Sequence, residues 1–146
     1  MGAVREQRRF NRRPARSGVY ALLRPYGHIQ GQIIDLSLGG VSFFYYTFGW
    51  HVDEVSGIDL FPVTGGLVLR NLSCRTVDDV LVRDQTRYRP LMVRRRHVEF
   101  RRLDENRRQL LARFISRYTR PAGALMVLPT CLDKDFAVAA GNLLPV

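Results

Sequence analysis

The hydrophobic rhythm of the chain changes twice. Residues 1–16 are polar and rich in arginine, with Pro14 near the end, and read as a flexible arm outside the core. From Ser17 the apolar positions gather into short runs separated by glycine and proline. "GVYALL" ends at the turn "RPYG", and "HIQGQIIDL" reads as a strand broken by "SLGG". "VSFFYYTF" is β-branched and aromatic, which suits a strand. "VSGIDLFPV" is a short strand with Pro62 near its end, before the turn "TGG". "LVLRNLSCRTVDDVLV" alternates roughly as a half-buried strand or a bent pair would. "RDQTRYRP" reads as a polar loop and "LMVRRRHVEF" as the last strand.

The period then becomes helical. In "LDENRRQLLARFISRYTR", Leu110, Leu111, Phe114, Ile115 and Tyr118 fall on one face. Asp104 is placed as an N-cap and Glu105 adds negative charge to the first turn. Arg113, Arg117 and Arg120 lie toward the C-terminal end, where cations complement the dipole, and Pro121 stops the helix. About six short strands followed by one amphipathic helix predict an all-β fold with a helix, a small antiparallel barrel or sandwich. The expected organisation is an arm over 1–16, a barrel with its helix over 17–120, and a tail over 121–146. The tail has two apolar patches bounded by proline and no clear period. It either packs back on its own barrel or meets a second copy or a partner protein.

Composition narrows the function. The chain has 146 residues, enough for one domain with a single core, and 46% of them are hydrophobic. The net charge is +10, and Lys134 is the only lysine among 23 basic residues. Such an arginine excess reflects either genomic base composition or recognition of phosphate and guanine, which suit the planar guanidinium. Cys74 and Cys131 form no CxxC pair and no His/Cys cluster has metal-ligand spacing, so no metal site is expected. "MGAVREQRRF" has no apolar signal region, and no apolar run is long enough to span a bilayer. A cytoplasmic protein with reduced thiols is expected. His28, His51 and His97 lie in separate segments with no convincing nucleophile beside them, so no enzyme is expected.

Two motifs carry chemistry. Arg8 and Arg12 are four residues apart, as are Arg9 and Arg13. Alone, such a run is a solvated basic tail. Functionally, arginine bonds bidentately to guanine O6 and N7 or to phosphate oxygens, and stacks on purines. In "DLSLGG", Asp35 and Ser37 end a strand and are followed by Gly39 and Gly40. Alone, this is a polar turn. Functionally, a carboxylate accepts from guanine N1–H and N2–H₂, a hydroxyl bonds phosphate or purine, and glycine lets a ligand approach the backbone.

The ordered pair of motifs resembles the PilZ family, bacterial receptors for the second messenger cyclic diguanylate (cyclic di-GMP). The family signature is RxxxR on an N-terminal arm, then [D/N]xSxxG at an early barrel strand. Here Arg8–Arg12 and Asp35–Gly40 match it, and Phe10 favours the Arg8/Arg12 frame over Arg9/Arg13. The resemblance extends over about residues 5–120, through "IDLF", "LSCRTVDD" and the helix. It implies a six-stranded barrel with a C-terminal helix. It further implies cyclic di-GMP as ligand, no cofactor, and contacts from Arg8, Arg9, Arg12, Asp35, Ser37, Gly39 and Gly40. Signalling would then run through an unidentified partner protein or through self-association. His97 stands where relatives often have glycine, and is read mainly as an accommodated side chain. Two rivals remain: an adaptor of the same fold that binds no nucleotide, and a basic barrel for single-stranded nucleic acid suggested by "FFYY". Neighbouring aromatics on a strand point to opposite faces, so at least half of that run belongs to the core and nucleic acid is not the expected partner.

Overall fold

Alternation along the first long strand fixes which side of the sheet becomes the interior. In the computed structural model, which describes residues 10–25, 29–47, 55–85 and 91–121, Val19, Ala21 and Leu23 are buried while Tyr20, Leu22 and Arg24 are half-buried. The elements are β1 (Arg13–Pro14), β2 (Val19–Arg24), β3 (Gln30–Leu36), β4 (Gly40–Thr47), β5 (Gly57–Pro62), β6 (Leu69–Gln85), β7 (Leu91–Phe100) and α1 (Glu105–Tyr118). All pairings between strands are antiparallel. The order β3-β2-β5-β6-β7-β4 closes on itself through β3–β4, so six strands form a barrel. Closure leaves few unpaired edges.

The seventh strand, β1, comes from the segment expected to be arm. It pairs Arg13 with Leu36 and Pro14 with Asp35. Because β4 holds the other edge of β3, β1 lies end to end with β2 on the same edge. The β6 segment is one strand of 17 residues, with register shifts at Thr76/Asp78 and Leu81/Arg83, so the broken alternation reflects bulges. It also runs through Arg83, Asp84 and Gln85, which read as loop in the sequence. Pairing with β7 overrides their local polarity.

The helix closes one end of the barrel. Asp104 caps it by accepting from the Arg107 N–H at 2.7 Å. Leu111, Phe114 and Ile115 are buried in the same apolar cluster as Leu36, Val41, Leu60 and Phe100. Within "FFYY", Phe43 and Tyr45 join that interior cluster, while Phe44 packs with Val93, Ile34 and Tyr46 in a second one.

At the other end the interior turns polar. Asp79 accepts from Arg94 Nε at 2.6 Å, from Arg96 Nε at 2.7 Å and from the Tyr45 hydroxyl. Burial pushes the Asp79 carboxyl up, but the bonds from Tyr45, Arg94 and Arg96 together hold it below its ordinary value. Burial, and then the bond to Asp79, raises Tyr45 to about 12.

Candidate functional site

The β3–β4 connection is a turn that hydrogen-bonds itself. The Ser37 N–H donates to Gly40 O at 2.9 Å, and Ser37 Oγ accepts from the Gly39 N–H at 3.1 Å. Ser37 thus has the backbone role that serine has in such turns, and its own O–H is still a donor for something else. The Phe100 N–H donates to Gly39 O at 2.9 Å, tying the turn to the end of β7. Gly40 is there for close approach: a Cβ on it would lie 2.3 Å from Val98 O.

The end of the arm is held against this turn. The Ala15 N–H donates to Ile34 O at 2.9 Å, Arg16 N–H to Tyr118 O at 2.8 Å, and Arg120 N–H to Pro14 O at 2.7 Å. Residues 13–16 therefore lie between β3 and the end of α1, and Arg12 emerges beside the turn. The Phe10 ring lies over Gly39, where an added Cβ would meet Phe10 Cδ2 at 2.8 Å.

Between arm, turn and helix lies a cavity of about 460 Å³ on the outer face of the barrel. Phe10 and Arg12 form one side, Ser37–Gly40 the floor at the turn, and His97, Glu99 and Phe100 the β7 wall. Val77 of β6 and Arg102, Leu103 and Arg108 at the start of the helix complete it. Three arginines face one glutamate, so the cavity favours anions. Arg12 Nη2 lies 3.3 Å from Nε2 and 3.4 Å from Nδ1 of His97. Two nearly equal distances to divergent lone pairs place the guanidinium nitrogen against the ring, aligned with neither nitrogen. Arg102 has φ of 52°, a left-handed conformation uncommon for a residue with a Cβ. Glu99 is bonded to Arg75 at 2.9 Å, an exposed pair.

Of the residues expected from sequence, Arg12, Ser37, Gly39 and Gly40 share this cavity. Asp35 does not line it: the carboxylate residue is 7% exposed, two positions before Ser37. Arg8 and Arg9 lie outside the described residues, as does most of the tail. His97, read as merely accommodated, lines the cavity and touches Arg12. Sequence reasoning passed over Glu99, Arg102 and Arg108. The arginines carried no signal among 23 basic residues, since only barrel closure brings the start of the helix beside the arm. Among the described residues no His, Cys, Asp or Glu group gathers that could hold a metal ion. Burial pushes the Cys74 thiol up to about 12, so it stays protonated at neutral pH and is no nucleophile. No helix among the described residues is long and apolar enough to cross a membrane.

A closed six-stranded antiparallel barrel with one C-terminal helix, and a basic cavity lined by Arg12 and the β3–β4 turn, defines the class of fold. The PilZ domain model matches residues 6–117, and the chain belongs to the PilZ domain family. Solved structures agree in fold. The PilZ domain with c-di-GMP of YcgR from Escherichia coli is 16% identical with TM-score 0.55, covering 77% of this chain and 92% of that one. YcgR in complex with c-di-GMP from Escherichia coli is 15% identical with TM-score 0.56, covering 95% of this chain and 51% of that one. The MrkH–c-di-GMP complex from K. pneumonia is 15% identical with TM-score 0.55, covering 76% and 52%. This chain thus spans about half the length of the latter two. The curated proteins yield no match.

Proposed function

We propose that this chain is a non-enzymatic, cytoplasmic receptor that binds the bacterial second messenger cyclic di-GMP in the cavity between arm and turn, and signals through a contact with a partner protein. One observation carries the reading: Arg12 of the arm and Ser37–Gly40 of the turn, separate in sequence, line one basic cavity of about 460 Å³. That volume is within the usual range for small-molecule sites. The ligand's two phosphates call for cations, which Arg12 supplies together with Arg8 and Arg9. Its guanines stack on or bond to guanidinium groups. The Ser37 hydroxyl donates to a ligand oxygen, and Gly39 and Gly40 keep side chains out of the floor. For Asp35 we propose the guanine-edge acceptor role. Its burial outside the cavity lining means that the turn or the arm must shift for the carboxylate to reach the base.

Calorimetry with cyclic di-GMP tests this reading. The wild-type chain should bind without hydrolysing the ligand. Arg12→Ala should lose about 1.5–3 kcal/mol, the usual range for hydrogen bonds to charged groups, or roughly one to two decades in affinity. Asp35→Ala should reduce the preference for guanine over adenine. No binding by the wild-type chain would replace the receptor with a nucleotide-independent adaptor, and full affinity in Arg12→Ala would remove the arm from the site.

A further inference from the structure

His97 stands between the arm and the turn. Its Nε2 lies 3.3 Å from where a Cβ on Gly40 would sit, so the ring leans against the β3–β4 turn. From the arm, Arg12 Nη2 reaches the same ring, 3.3 Å from Nε2 and 3.4 Å from Nδ1. Both residues line the cavity.

This contact sets a condition on charge. A guanidinium has five N–H donors and no acceptor. A neutral imidazole keeps one acceptor nitrogen and can lie against it, whereas an imidazolium is a donor at both nitrogens. Two cations 3.3 Å apart with nothing between them repel. One anionic oxygen shared by both reverses this, because it accepts a charge-assisted bond from each. A phosphodiester offers such oxygens. Histidine is the side chain whose charge ordinarily changes between about pH 5 and 8.

The other charges around the ring favour the same outcome. Arg102 and Arg108 line the cavity from the start of the helix. Along β7, Arg95 is exposed two residues before His97, and Glu99, two residues after it, is bonded to Arg75. On β6, Asp78 stands opposite His97 but is exposed and outside the cavity lining. On β4 the opposite residue is the uncharged Ser42. Cations thus outnumber carboxylates at the ring, and an anionic ligand is what tips it toward the protonated form.

We propose that His97 is a ligand-binding residue: as an imidazolium it shares a phosphate oxygen of cyclic di-GMP with Arg12, so that binding takes up a proton from solvent. The inference rests on the receptor reading of the cavity, and it makes affinity rise as pH falls through the neutral range. A single linked proton changes affinity by at most about tenfold per pH unit.

Calorimetry with cyclic di-GMP near pH 6 and pH 8, each in two buffers of different ionisation enthalpy, reads affinity and proton uptake together. The wild-type chain should bind about five- to twentyfold tighter at the lower pH and take up a fraction of a proton near pH 7. The ligand adds no titration there, since its phosphodiesters stay ionised and its guanine N1–H stays protonated. His97→Gln keeps a hydrogen-bonding side chain that does not titrate. It should bind equally at both pH values, about as weakly as the wild type at the higher one. His28 and His51 lie outside the described residues and remain in the variant, so any linkage of theirs survives there. Where circular dichroism shows His97→Gln to be unfolded, His97→Asn takes its place, and the wild-type profile can overturn the proposal without either. Wild-type affinity that is flat between the two pH values, or a pH dependence kept in the folded His97 variant, overturns the proposal and leaves the receptor reading standing. No binding at any pH overturns both.

Discussion

Gly39 and Gly40 are neighbours with different work to do. A side chain at Gly40 meets the Val98 carbonyl oxygen at 2.3 Å, a backbone atom that cannot turn aside. Gly40→Val should therefore destabilise the fold by about 2 kcal/mol or more, read as a fall in melting temperature. A side chain at Gly39 meets the Phe10 ring at 2.8 Å, and that ring can move. Gly39→Ala should leave the melting temperature nearly unchanged but displace the end of the arm, weakening cyclic di-GMP binding in calorimetry. Equal loss of stability in both variants would contradict this division. Ser37→Ala should cost about 1 kcal/mol of stability through the lost bond from the Gly39 N–H. The motif was legible residue by residue, but the jobs were not: the sequence suggested ligand approach for both glycines, and strand packing explains Gly40.

Among the elements, β6 carries the largest departure from local expectation. The β7 boundaries match the apolar run, and the helix matches its 3.6-residue period and its Asp104 cap. The pattern of β6 is blurred because two bulges shift its alternation and because it extends past its β5 neighbour. The pair meets inside the barrel at Asp79, with Arg94 and Arg96 on one carboxylate. Asp79→Asn should cost about 3–5 kcal/mol, since breaking a buried pair strands the charge left behind. The wild-type pH dependence follows from the lowered Asp79 carboxyl. Above its ordinary value of 3.8 the carboxylate is ionised in both folded and unfolded chains, and its contribution is complete. Below that value the unfolded chain takes up the proton first, so stability falls with pH until the folded carboxyl also protonates. Denaturant melts between pH 5 and 2 should show a decline attributable to this group in the wild type and missing in Asp79→Asn.

On the scale of the whole molecule, the helix ends at Tyr118, the described residues end at Pro121, and the family match ends at residue 117. Every described residue lining the cavity lies before that point. Removing residues 122–146 should therefore leave cyclic di-GMP affinity within about threefold, under 1 kcal/mol. A larger loss would place the tail in the ligand site. If the arm closes over the ligand, amide exchange at Asn11 and Arg12 should slow on saturation. Unchanged exchange there would argue that the arm end is already in place, as its bonds to β3 and α1 would allow.

The sequence alone determined the strand and helix periods, the N-cap, and the order of barrel strands and helix. These are properties of neighbouring residues, and local geometry expresses them directly. Tertiary structure decided the rest. Closure through β3–β4 and β4–β7 places the turn beside His97 and Glu99, and the docked helix brings Arg102 and Arg108 to the same cavity. It also buries Asp35 outside the cavity lining and turns Arg13–Pro14 into a strand. Such outcomes depend on contacts between segments distant in the chain, and no local pattern of apolar and polar residues encodes which segments meet.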